Sequence, residues 1–230
     1  IEEHGDRRPV NYVLPPGISR ILDPEQPQLR QDNEQALSLQ VNNLGAKESR
    51  AVYKKSTLDI RQYERIQVFA HAEAPEVDGA VLADDEMSLF VRLGSDYKSN
   101  YYEYEVPLKL TPPSNKYNRY SPADQRAVWP EDNLIDIDLD IFTNLKKARN
   151  TRNSLGMASY NARYSEYDER RPSNKVTIMG NPTLGEVKTI MVGVRNNGRT
   201  VKSGEVWANE LRLQEFSNEG GWAAQGNMNV

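Results

Sequence analysis

From residue 36 onward, apolar residues recur at every second position, as they do in strands with one buried and one exposed face. Leu37, Leu39 and Val41 alternate with Ser38 and Gln40, and Leu58 and Ile60 precede Ile66, Val68 and Ala70. Met87, Leu89, Val91 and Leu93 form one face of a longer strand. Tyr102, Tyr104, Val106, Leu108 and Leu110 form another, with Glu103, Glu105 and Lys109 facing away. Ile135, Ile137, Leu139 and Ile141 alternate with Asp136, Asp138 and Asp140, and further strands are predicted at Val176 to Ile178, Val187 to Arg195 and Glu205 to Phe216. In the last of these the phase breaks, and a β-bulge near Asn209-Glu210 would return Val206, Ala208, Leu211 and Leu213 to one core. Asn196-Asn197-Gly198 predicts a type I′ hairpin turn. Short half-buried strands separated by turn residues favour an antiparallel sandwich over a parallel sheet. About eight or nine of them suit a jelly roll.

The remaining segments follow other patterns. Residues 1–35 carry Pro9, Pro15, Pro16, Pro24 and Pro27 among many charges, which excludes a helix or central strand and predicts an extended arm. One short helix is expected over Ile141 to Ala148. Residues 149–175 lose periodicity and set Arg149, Arg152, Arg163, Arg170, Arg171 and Lys175 against Glu166, Asp168 and Glu169. They read as a basic insertion, with room for a short helix around Tyr160, Tyr164 and Tyr167. The organisation expected is an arm at 1–35, a sandwich at 36–216 containing that insertion, and a linker with a strand at 217–230.

In that closing strand Trp222, Ala224, Gly226, Met228 and Val230 share one side, and Gln225, Asn227 and Asn229 the other. Apolar-out and polar-in alternation over about nine residues, with an aromatic residue near one end, is what a strand crossing an outer membrane requires. A single strand cannot satisfy its own backbone in lipid, so this reads as the opening of a barrel that continues elsewhere. An edge strand of a soluble sheet is the plainer alternative.

Composition narrows the function more than the fold. Lys and Arg number 29 against 33 Asp and Glu, a balance without the basic excess of a nucleic-acid binder. Cysteine is absent, so neither a disulfide framework nor a thiolate metal site is available. The opening Ile1-Glu-Glu-His4 is no signal peptide, and the chain reads as a fragment of something longer. No run approaches the roughly 18 apolar residues of a membrane helix.

Motifs for chemistry fail on inspection. Asp136-x-Asp138-x-Asp140 would need Gly at the sixth and Glu at the twelfth position of a calcium loop, where the chain has Ile141 and Lys147. His4 and His71 are the only histidines, and neither neighbours a nucleophile elbow. No phosphate-binding glycine loop occurs, and no metal or cofactor is expected. Carboxylates that could pair for glycoside hydrolysis are plentiful, but nothing singles out two of them. Two surfaces remain as candidates. Tyr101 and Trp129 could stack on a sugar ring, and Arg163, Tyr164, Arg170 and Arg171 could contact a partner protein.

Three stretches add a resemblance. Gly180-Asn-Pro-Thr-Leu-Gly-Glu-Val-Lys-Thr-Ile-Met-Val-Gly-Val-Arg-Asn196 runs into Gly204-Glu-Val-Trp-Ala-Asn-Glu-Leu-Arg-Leu213 and then Glu219-Gly-Gly-Trp-Ala-Ala224. With Tyr12-Val-Leu-Pro-Pro-Gly17, these resemble the SprA (Sov) family of Bacteroidetes, large outer-membrane barrels that form the type IX secretion translocon and support gliding motility. The resemblance implies a non-catalytic domain between barrel segments, periplasmic or extracellular, that shapes the channel or docks cargo. Its implied partners are the rest of the barrel protein, other secretion subunits, secreted cargo and the outer membrane. In that setting Trp222, Ala224, Met228 and Val230 would face lipid. The segment Glu205 to Leu213 also looks like the last strand of carbohydrate-binding jelly rolls. A carbohydrate-binding module of a surface or secreted protein is therefore the alternative, with Tyr101 and Trp129 as its glycan contacts.

Overall fold

The computed structural model describes residues 10–18, 36–75 and 82–216. Ten strands lie within them: β1 Leu37–Leu44, β2 Ser49–Leu58, β3 Tyr63–Glu73, β4 Met87–Gly94, β5 Tyr101–Pro107, β6 Ile135–Asp138, β7 Tyr164–Tyr167, β8 Lys175–Met179, β9 Val187–Asn196 and β10 Lys202–Phe216. Two helices, α1 Pro122–Val128 and α2 Asp140–Ser154, complete the set with one short 3-10 turn. The predicted membrane strand at Trp222, Ala224, Met228 and Val230 lies outside the described residues, as does most of the Pro-rich arm.

Every strand pair is antiparallel, and the strands form two sheets in the orders β1-β10-β3-β6 and β2-β9-β4-β5-β8-β7. Without the β7–β8 hairpin, the other strands nest in successive pairs across the sandwich: β1 over β2, β10 over β9, β3 over β4 and β6 over β5. That nesting is the jelly roll. The alternating residues interdigitate between the sheets. Ile66, Val68, Ala70 and Val206 meet Leu89, Val91, Tyr102, Tyr104 and Val194 in one core.

Local chemistry places the helices. The Ser121 hydroxyl accepts from the Asp124 amide at 3.3 Å, and Pro122 sits where a missing N–H costs nothing, so α1 starts there. Helix α2 buries Phe142 and Leu145 against the core and closes the side of the sandwich formed by β6 and the β7–β8 hairpin.

Four expectations need correction. Helix α2 runs six residues past Ala148, to Ser154, and α1 is a second helix. The segment around Tyr164 and Tyr167 is strand β7, paired with β8, because Ser165 and Tyr167 align with Thr177 and Lys175. Asn196-Asn197-Gly198 is a crossover between sheets, and neither Asn197 nor Gly198 takes a positive φ. There the Asn196 amide donates to the carbonyls of Leu44 and Thr200, at 2.9 and 2.8 Å, and replaces the ladder bonds a hairpin would have made. The β10 bulge does fall between Asn209 and Arg212, and Leu213 packs on the core, but Leu211 inside the bulge stays exposed.

Candidate functional site

The alternation that buries Leu89, Val91 and Leu93 turns Ser88, Phe90 and Arg92 of β4 to the opposite face of the six-stranded sheet. Tyr101, Glu103 and Glu105 of β5, Lys175 of β8 and Arg195 of β9 share that face, in direct cross-strand register. Glu103 and Glu105 are only 1% and 4% exposed, because long cationic side chains lie over them. Arg92 Nε donates to Glu103 Oε2 at 2.9 Å, and Arg195 Nη2 donates to Glu103 Oε1 at 3.0 Å. Glu105 accepts from Arg195 Nη1, from Ser88 Oγ at 2.6 Å and from Lys175 Nζ at 3.1 Å. The Arg92 guanidinium stacks 3.9 Å over the Tyr101 ring, and Arg163 Nε donates to the Tyr101 hydroxyl at 2.8 Å.

Two carboxylates on one face invite an acid–base reading. A general acid needs a raised pKa. Burial does push the Glu103 carboxyl up, but Arg195 and Arg92 outweigh it and hold the group below its ordinary value. Both carboxylates are fully engaged, so this cluster acts as a staple across β5, β4, β9 and β8.

A second cluster covers the far face of the four-stranded sheet. Trp207 and His71 stack with ring centres 3.9 Å apart, and Phe69, Trp129, Val10 and Val13 pack around them. Trp129 Nε1 donates to the Val13 carbonyl at 2.9 Å, and the Asn209 amide donates to the Tyr12 hydroxyl at 2.9 Å. Residues 10–18 are thus draped over the sandwich. His71 Nε2 faces Glu73 Oε2 at 3.4 Å in a fully buried pair.

The whole chain, residues 1–230, matches the SprA_N family profile, described as motility related/secretion protein. The chain belongs to the SprA_N family. No curated protein matches it.

Within this SprA_N domain, the start of the Gly180–Asn196 stretch ties elements of the sandwich together. Gly180 adopts φ +69°, and a Cβ there would overlap the Ser99 carbonyl oxygen. Its own carbonyl accepts from Arg149 Nη1 at 2.7 Å, while the Pro182 carbonyl accepts from Tyr102 and Lys146 at 3.1 and 2.7 Å. The Gly180–Pro182 turn therefore ties α2 to β5.

The residues proposed from sequence fall in different settings. Arg163 is exposed and donates to the Tyr101 hydroxyl. Tyr164 bonds Glu166 within β7. Arg170 pairs with Asp138 at 2.5 Å, and Arg171 donates to the carbonyls of Leu134 and Glu131 at 2.7 and 3.1 Å. Tyr101 and Trp129, read as exposed, are buried at 1% and 2% exposure. Arg92 and Arg163 cover the Tyr101 ring, and the arm covers Trp129. Neither ring offers a face to a sugar. Asp136 and Asp138 engage Arg65 and Arg170. Among the described residues no group of three or more acidic or histidine side chains is placed to hold a metal, and no helix is long and apolar enough to cross a membrane.

Sequence reasoning missed the ion network altogether. The available signal was Arg92 and Arg195 standing alone inside apolar strands, opposite the alternating Glu103 and Glu105.

Proposed function

We propose that this chain is a non-catalytic domain of an outer-membrane protein-export translocon of the type IX kind. It stands on the periplasmic or extracellular side and shapes the channel or docks cargo and partner subunits. The observation that carries this reading is membership of a motility and secretion family along the full chain. The geometry supports it, because both buried carboxylates on the charged sheet face are occupied by fixed cations of the same sheet. Its partners on this reading are the remainder of a large barrel protein, other secretion subunits and secreted polypeptides.

An antibody against residues 36–216, used on fractionated cells, tests the assignment. The expected result is one band far above 26.2 kDa in the outer-membrane fraction. In-frame removal of the domain should also reduce secreted protein while the parent polypeptide stays abundant. A soluble band near 26 kDa, or normal secretion after removal, overturns the reading.

A further inference from the structure

The two long sides of the sandwich are finished differently. On one, α2 follows β6 and packs against β7 and β8. On the other, β1 and β2 end their sheets, and neither has a second strand neighbour among the described residues. Between them opens a cleft of about 420 Å³, floored by Leu39, Val41, Leu44 and Val194 and flanked by Arg50 and Val52. Nine of the ten residues of β2 are exposed, Val52 and Tyr53 among them.

An exposed edge of this length is a template for pairing with another strand, and proteins commonly blunt such edges with lysine. Here the charge is one-sided. Strand β2 carries Arg50, Lys54 and Lys55 and no acid, while β1 carries no charge at all. Lys54 and Lys55 make no ion pair among the described residues, and Arg50 reaches only Glu48, at 3.5 Å. In a second copy of this chain, the same edge would meet like charge. An acidic strand would meet opposite charge and gain main-chain hydrogen bonds besides.

We infer that the β1–β2 side is a docking groove for an extended acidic segment of another polypeptide, added as a strand along β2. An apolar residue of that segment fills the cleft beside Val52, acids two positions to either side of it lie against Arg50 and Lys54 on the same face, and an acid on the other face meets Lys55. This inference rests on the docking role proposed above and names its site and the chemistry of the guest. The lysines reject a second copy and select the acidic strand, so one feature serves both ends.

The test is fluorescence anisotropy with a labelled peptide of about ten residues, the span of β2, carrying a central Val with Glu two positions to either side and Glu on the opposite face, alongside a twin with Lys for Glu. The acidic peptide should bind, weaken as salt rises, and shift amide resonances of β1 and β2. The Lys54→Glu/Lys55→Glu variant should lose about tenfold of that affinity and prefer the basic twin. Both lysines are exposed, so the fold should persist; circular dichroism checks it, and single Lys55→Glu serves if the double variant unfolds. Equal binding of both peptides, no binding, or shifts elsewhere overturns the inference. Concentration-dependent dimers with shifts confined to β2 would instead make a second copy the occupant. The groove can fail in this assay while the large outer-membrane band still appears, which separates the two proposals.

Discussion

Replacing Glu103 with Gln keeps the shape of the side chain and removes its charge from the centre of the ion network. Arg92 would lose its charged partner and keep the Tyr97 carbonyl and the Tyr101 and Phe90 rings, while Arg195 would retain Glu105. Breaking a buried pair from one side typically costs 3–5 kcal/mol. Because Arg195 keeps one carboxylate, we expect about 3 kcal/mol here, or roughly a 6–12 °C fall in Tm for a domain of this size. The pH dependence provides the sharper check. The folded Glu103 carboxyl is held below its ordinary value, with the cost of burial outweighed by Arg195 and Arg92. Its stabilisation is therefore complete above the unfolded pKa and is lost as pH falls through the folded one. Thermal melts followed by circular dichroism should show a constant gap between wild type and variant from pH 7 to about pH 5, then a narrowing gap below roughly pH 4. A deficit under about 1 kcal/mol, or a gap that ignores pH, would refute the view that this network staples the sheet.

Three further substitutions test the rest of the frame. Trp129→Phe keeps most of the ring but removes the donor to the Val13 carbonyl; it should cost about 1 kcal/mol and raise hydrogen exchange in residues 10–18, with β4 and β5 unchanged. Gly180→Ala forces a Cβ onto the Ser99 carbonyl at a left-handed position and should lose several kcal/mol in chemical denaturation. Gly156→Ala, at φ +72° with open space around it, should lose only about 1 kcal/mol, and equal losses at both sites would contradict the packing argument.

Much of the fold was legible because only one face of most strands packs into the apolar core. That imposes a period of two, and Leu89, Val91, Tyr102, Tyr104 and Val106 display it plainly. Strand β2 escaped for the opposite reason: it is exposed almost throughout, so nothing imposes a pattern on Ser49–Leu58. The Asn-Gly turn misled because local φ preference is a weak force, and the tertiary pairing of β9 with β4 and β10 with β3 overrode it. Tyr101 and Trp129 looked exposed because each lies out of phase with the main core. Tyr101 turns to the ion network, and Trp129 joins a second core that only the folded arm completes.

By itself, then, the sequence determined most of the strands and their inward residues, the place of the bulge in β10 and the family, all of which depend on neighbours along the chain. Tertiary structure alone decided which charges meet. Arg92 and Arg195 lie 11 and 92 residues from Glu103, and only the β9-β4-β5 register brings them within hydrogen-bonding distance. It likewise decided which side of the sandwich stays open, since α2 closes one and nothing among the described residues closes the other. Periodicity records the environment of each residue in turn. Electrostatic pairing and edge exposure depend on separations that the chain does not encode locally, and they appear only once the sheets have closed.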